Sequence, residues 1–232
     1  MTKIIAHRGA SGYAPENTLE AFEKAIVLGA DMIEFDVIQT KDKELIVVHG
    51  DKINGQKIAD FNFSEIKAIN PTIPKLIEVL EIFKNRIEMD IELQEGGYEG
   101  ELCGIILQYL NFDQFIITSF WADSLKIIKE KFPQIKIGYL IGYKKMLGPK
   151  TLLKGLFPFG RLRKSKADFL VAHRRLLYFG ILQRAKMHKT PIIVWGVNKK
   201  RLIHKLLNRN IVGIITDIVS PNPPIGGVGG LC

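Results

Sequence analysis

Apolar residues along this chain fall into short runs rich in Ile, Val and Phe, separated by longer stretches with apolar positions at helical spacing. The runs predict strands at 3–7, 32–38, 86–93, 115–119, 136–141, 169–172, 192–197 and 213–216. A further short strand at 44–48 pairs locally after the second. The helical spacing predicts helices at 18–28, 75–84, 98–109, 121–131, 176–188 and 199–208. Near-continuous apolar strands fit a parallel sheet buried on both faces. Eight strand–helix units in about 220 residues predict a single-domain (β/α)8 TIM barrel of the α/β class. An open doubly wound sheet is the competing architecture, disfavoured because no Gly-rich loop follows the first strand. The barrel is expected over residues 1–220, with a Pro/Gly-rich tail at 221–232.

Charge changes the picture next. The net charge is +9. Residues 1–130 carry 13 Lys/Arg against 22 Asp/Glu, whereas 131–232 carry 20 against only Asp168 and Asp217. The basic half is expected to face an anionic partner or simply to solvate outer helices. Cys103 and Cys232 are too few for a disulfide framework, and no apolar run is long enough to span a membrane. The composition reads as a reduced, cytoplasmic protein.

In a barrel of this kind the chemistry sits at the C-terminal ends of the strands. His7 and Arg8 end the first strand. Glu34 and Asp36 lie late in the second and, two residues apart, share a face. His49 follows the short extra strand, and Glu92 lies late in the third, where Glu88, Asp90 and Glu92 alternate. Carboxylates crowded at one mouth repel unless a cation neutralises them, and oxygen ligands favour a hard divalent ion, Mg2+ or Ca2+. Glu88, nearer the strand start, reads better as an ion-pair partner. Two histidines beside the acids suit general acid–base work. Arg8 is placed either to fork onto phosphate oxygens or to bridge a site acid.

The segments IIAHRGASGYAPENTLEAF, GADMIEFDV and VVHGD resemble the glycerophosphodiester phosphodiesterase family, and IPKLIEVL, DIELQ, ITSFW, VWGVN and ITD match more loosely in the same order. The resemblance implies a TIM-barrel hydrolase that cleaves glycerophosphodiesters to glycerol 3-phosphate and an alcohol with one divalent metal. It implies Glu34, Asp36 and Glu92 as metal ligands and His7 and His49 as acid and base. It gives Arg8 to the phosphate, Asn17 to the first loop or the substrate, and Trp195 to the pocket wall. Three departures stand out. Gln94 occupies the place of the family's lysine, Gly50 is inserted after His49, and Gly196 follows Trp195.

Competing readings are a lysophospholipase D-type enzyme acting on membrane lipids and a weakly active barrel kept to bind anionic lipid or phosphate. Nucleic acid is not expected as a partner, since no binding motif accompanies the charge. Residues 144–166 combine eight cations, no acids and several Leu and Phe. They are expected either to touch anionic membrane peripherally or to form a core-packed helix with a basic outer face.

Overall fold

A computed structural model describes residues 1–142 and 158–219. The tail and the first part of the 144–166 segment lie outside these residues. Eight parallel strands close on themselves: β1 (Lys3–His7), β2 (Met32–Gln39), β6 (Glu88–Leu93), β7 (Phe115–Ser119), β8 (Ile137–Ile141), β9 (Phe169–His173), β10 (Ile192–Trp195) and β11 (Gly213–Thr216). The strand order runs β1-β11-β10-β9-β8-β7-β6-β2, and β1 also pairs with β2, so the sheet is a barrel with no free edge among these strands.

One side of β2 is shared between two neighbours. β1 pairs with its lower half as far as His7 opposite Glu34, and β3 (Leu45–Val47) runs antiparallel to its upper half from Val37. β6 covers the other side, with Asp36 opposite Glu92. β2 is buried along nearly its whole length, so Glu34 and Asp36 are held among apolar neighbours.

Helices α1 (Leu19–Val27), α3 (Leu76–Phe83), α4 (Glu99–Tyr109) and α5 (Ala122–Lys131) cover one arc of the barrel. α6 (Phe159–Ser165), α7 (Ile181–Met187) and α8 (Lys200–Leu207) cover the rest. The main core lies between this ring and the sheet, with Phe22, Phe35 and Phe83 fully buried and in ring contact. A second cluster fills the barrel interior: Ile5, Met32, Ile116, Leu140, Val171, Ile193 and Ile215. Cys103 is fully buried, and burial pushes its thiol up to about 12, so it packs as a small apolar residue.

Two local features depart from the sequence-based elements. Residues 52–73 form a small hairpin, β4 (Lys52–Ile53) with β5 (Gln56–Lys57), and α2 (Phe63–Ile69). They close over a satellite core of Ile38, Ile46, Ile58, Ile66 and Ile73. The helix expected at 176–188 is broken: a 3-10 turn spans Arg174–Phe179, and Gly180 at φ +69° redirects the chain into α7. Only Gly adopts that conformation cheaply. At the described end of the 144–166 segment, Phe159 and Leu162 are buried on α6, in keeping with the core-packed helix that was one of the two expectations there.

Candidate active site

Side chains two residues apart on a strand share a face, so the interior apolar layer fixes what stands above it. Stepping two residues toward the C-terminal end, Ile5 leads to His7, Met32 to Glu34, Ile116 to Thr118 and Val171 to His173. Ile193 leads to Trp195 and Ile215 to Asp217. The floor of the mouth is therefore a polar ring built directly on the hydrophobic plug.

Glu34, Asp36 and Glu92 each offer a carboxylate oxygen to a cluster whose atoms lie within 4.8 Å of one another. Glu34 and Asp36 are 2% and 1% exposed. Burial, then the neighbouring Asp36, pushes Glu34 up to about 8, and the same two causes hold Glu92 well above the ordinary carboxylate range. Asp36 moves the other way: although burial opposes ionisation, its bond to His49 and the Arg8 charge hold it below the usual value. Asp90, fully buried, is pushed to about 7 by burial. Thr118 Oγ1 donates to its Oδ1 at 2.8 Å, while Oδ2 is buried with no hydrogen-bond partner. Glu88 sits at the strand start, paired with Lys3 as expected.

The β1–α1 loop wraps this cluster. Gly9 has φ +77°, and a Cβ there would fall 2.7 Å from the Ala21 backbone on α1, so only glycine allows the close approach. Arg8 and Asn17 also adopt positive φ, at +53° and +57°. The Arg8 backbone N–H donates to Glu34 Oε2 at 2.8 Å. The Arg8 guanidinium donates to Glu16 at 2.7 Å, and its Nε lies 3.1 Å from Asp36 Oδ2. Asn17 is buried and grips Asp36 twice: Nδ2 donates to Oδ2 at 2.9 Å, and Oδ1 accepts from the Asp36 backbone N–H at 3.3 Å. Thr18 caps α1 by accepting from the Ala21 N–H.

His7 and His49 each face an aspartate. His7 Nδ1 lies 2.6 Å from Asp217 Oδ1, which leaves Nε2 as its other polar atom. Burial lowers the His7 pKa, but Asp217 and Glu34 outweigh it and the net shift is upward. Asp217 is itself held by Asn198, whose Nδ2 donates to Oδ2. His49 lies two residues beyond β3, is half exposed, and places Nδ1 3.4 Å from Asp36 Oδ1. Gln94 Nε2 donates to Asp36 Oδ1 at 2.5 Å and Glu92 Oε1 at 2.7 Å. Trp195 donates from Nε1 to the Ile141 carbonyl at 3.0 Å and stands edge-on to His173 at 4.5 Å.

The structure thus brings His7, Arg8, Asn17, Glu34, Asp36, His49, Glu92 and Gln94 together at one rim, and Trp195 ends β10 beside His173. It adds Asp217, Asn198 and His173. Asp217 follows the last strand directly and is one of two acids in the basic half, a signal the sequence did carry. Burial and the adjoining Arg174 and Arg175 push His173 down to about 4, so it stays neutral near pH 7. Arg174 lines a groove on the barrel's outer wall.

The model of the glycerophosphoryl diester phosphodiesterase family matches residues 7–220. The chain belongs to this family. A glycerophosphodiester phosphodiesterase of Caldanaerobacter subterraneus is 32% identical over 243 residues, spanning 93% of this chain and 94% of that protein. A human lysophospholipase D is 28% identical, spanning 94% and 83%. The crystal structure of the glycerophosphodiester phosphodiesterase of Thermotoga maritima superposes with a TM-score of 0.77 at 29% identity, covering 94% of this chain and 96% of that one.

The family's chemistry requires that the acid cluster suit a cation, and the geometry agrees. All donors are oxygens, two of the three carboxylates are held toward their neutral form by burial and mutual repulsion, and an unpartnered buried carboxylate oxygen lies on the same strand as Glu92.

Proposed function

We propose that this chain hydrolyses glycerophosphodiesters to glycerol 3-phosphate and an alcohol, with Glu34, Asp36 and Glu92 holding one Mg2+ or Ca2+. The observation that carries the reading is the convergence of three carboxylates within 4.8 Å, flanked by two His–Asp pairs, in a chain of this family. When bound, the cation supplies positive charge to the phosphate oxygens and positions the ester.

The protein's own groups divide the proton work. His7, part-buried and raised in pKa by Asp217 and Glu34 against the opposing effect of burial, favours the protonated form, which suits the acid that protonates the departing alkoxide. Asp217 fixes the ring so that Nε2 carries that proton. His49, more exposed and beside Asp36, takes the proton from the attacking hydroxyl or water. Arg8 adds a fixed cation next to Asp36 and Glu34, and Asn17 keeps the Asp36 carboxylate in place. Trp195 walls the mouth.

Gln94 does not empty the position of the family's lysine. Its amide ties Asp36 to Glu92, so the cluster keeps its shape while one positive charge is lost. This supports an active enzyme over a barrel kept only for binding. The similarity to the human lysophospholipase D supports a second reading, the same cleavage on a lysophospholipid. The test is phosphate-product detection on glycerophosphocholine and on lysophosphatidylcholine, with and without EDTA. Metal-dependent release of glycerol 3-phosphate supports the first reading, and lysophosphatidic acid the second. No product from either substrate would overturn both.

A further inference from the structure

The acid-free stretch of the chain builds one continuous surface. Residues 169–216 contain ten Lys/Arg and no Asp or Glu. They supply the 3-10 turn after β9, α7 and α8. α4 and α5 pack together, as do α5 and α6, but α7 and α8 make little direct contact. Between them runs a groove of about 920 Å³. Its floor is apolar, with Leu177, Leu182 and Leu202 only partly buried. Its walls carry Arg174, Lys186, Lys189, Lys205 and Arg209, with no acid among the lining residues. Among the described residues, none of these five cations forms an ion pair. Tyr178, which lines the groove, is 84% exposed, and Met187, the residue after Lys186 at the end of α7, is 75% exposed.

We infer that this face docks on an anionic phospholipid bilayer. Unpaired cations around an apolar groove match a surface with negative headgroups outside and acyl chain beneath. Exposed Tyr and Met beside lysines are suited to enter the headgroup boundary. A nucleic acid would satisfy the charge but would leave the leucine floor unused. The groove runs down the wall from Arg174, the residue after His173, to residues 189–192 and 209–212 at the N-terminal starts of β10 and β11, the end opposite the catalytic mouth. Docking therefore sets the barrel's outer wall against the membrane and leaves the interior machinery untouched.

The experiment is co-sedimentation of the full chain with vesicles of phosphatidylcholine alone or with one quarter phosphatidylglycerol. Binding is expected only to the anionic vesicles and is expected to weaken between 0.05 and 0.5 M salt, as screening shortens the electrostatic reach. Lys186→Glu with Lys205→Glu should weaken it by about tenfold or more, given the contribution of each cation near a charged leaflet. Tyr178→Ser with Met187→Ser should weaken it further at high salt. All variants should hydrolyse soluble glycerophosphocholine like the parent, so loss of docking is read separately from loss of catalysis. A control with the same charge change elsewhere, Lys24→Glu with Lys131→Glu, should retain binding. The inference is overturned if anionic vesicles bind no more protein than neutral ones. It is also overturned if the control loses as much as the groove variant, or if duplex DNA binds this face and displaces the vesicles.

Discussion

His7 and Asp217 lie 210 residues apart in sequence and 2.6 Å apart in space, joined across the seam where β1 pairs with β11. The pair orients a ring nitrogen and also links pH to stability. His7 is raised above 6.5 and Asp217 lowered below 3.8. The charged pair therefore stabilises the fold from about pH 4 to 6.5, and the His7 contribution fades as pH rises through its folded pKa. Asp217→Asn should lower the His7 pKa, shifting one limb of the pH–kcat/KM profile to lower pH. The melting-temperature gap between parent and variant should be widest in that acid window. An unchanged profile would separate His7 from catalysis.

Metal binding should release protons. Glu34 titrates at about 8, so near pH 7 the metal-free site keeps a proton that a cation must displace. Because this folded pKa lies above the unfolded value of 4.5, stability of the metal-free protein should fall as pH rises from there toward 8. Titration calorimetry in buffers of different ionisation enthalpy should detect the released proton at pH 7. Asp36→Ala should abolish both the binding signal and turnover, and EDTA should abolish turnover in the parent.

His7→Ala and His49→Ala should each cut kcat by roughly 10²-fold or more, in line with positioned acid–base groups. Circular dichroism should show both variants folded. Near-parental turnover in either would make that histidine structural.

The strands were legible because burial on both faces leaves a nearly continuous apolar run, as in β8 and β10. Glu34, Asp36 and Glu92 were legible because period two places them on one face. Asp217 was harder to assign to His7, since a contact across 210 residues has no local pattern. The 52–73 excursion escaped because its hairpin strands are two residues each and its core is a handful of isoleucines drawn from distant segments. The direction of Arg174 depended on where the 3-10 turn set its side chain, which charge alone does not specify.

Gln94→Lys should lower KM for glycerophosphocholine without lowering kcat, by returning a cation to the mouth beside Glu92 and Asp36. Its amide already reaches both acids, so the position is aimed correctly. A weakened metal affinity instead would mean that the ammonium competes for the ligand oxygens.

Gly9→Ala should destabilise the fold by about 3 kcal/mol, combining strain at positive φ with a clash against α1. Thermal unfolding checks this, and a loss below about 1 kcal/mol would mean that α1 yields easily.

The closed strand order makes catalysis a reporter of the slowest pairing in folding. Glu34, Asp36 and Glu92, the proposed cation ligands, lie on β2 and β6, which pair directly, so their contacts close a far shorter loop than β1 with β11 does. Joining β1 to β11 closes nearly the whole chain, the kind of long-range contact that forms late. During refolding, cation binding should therefore return before turnover, and the interval between them should measure how long the barrel stays ajar.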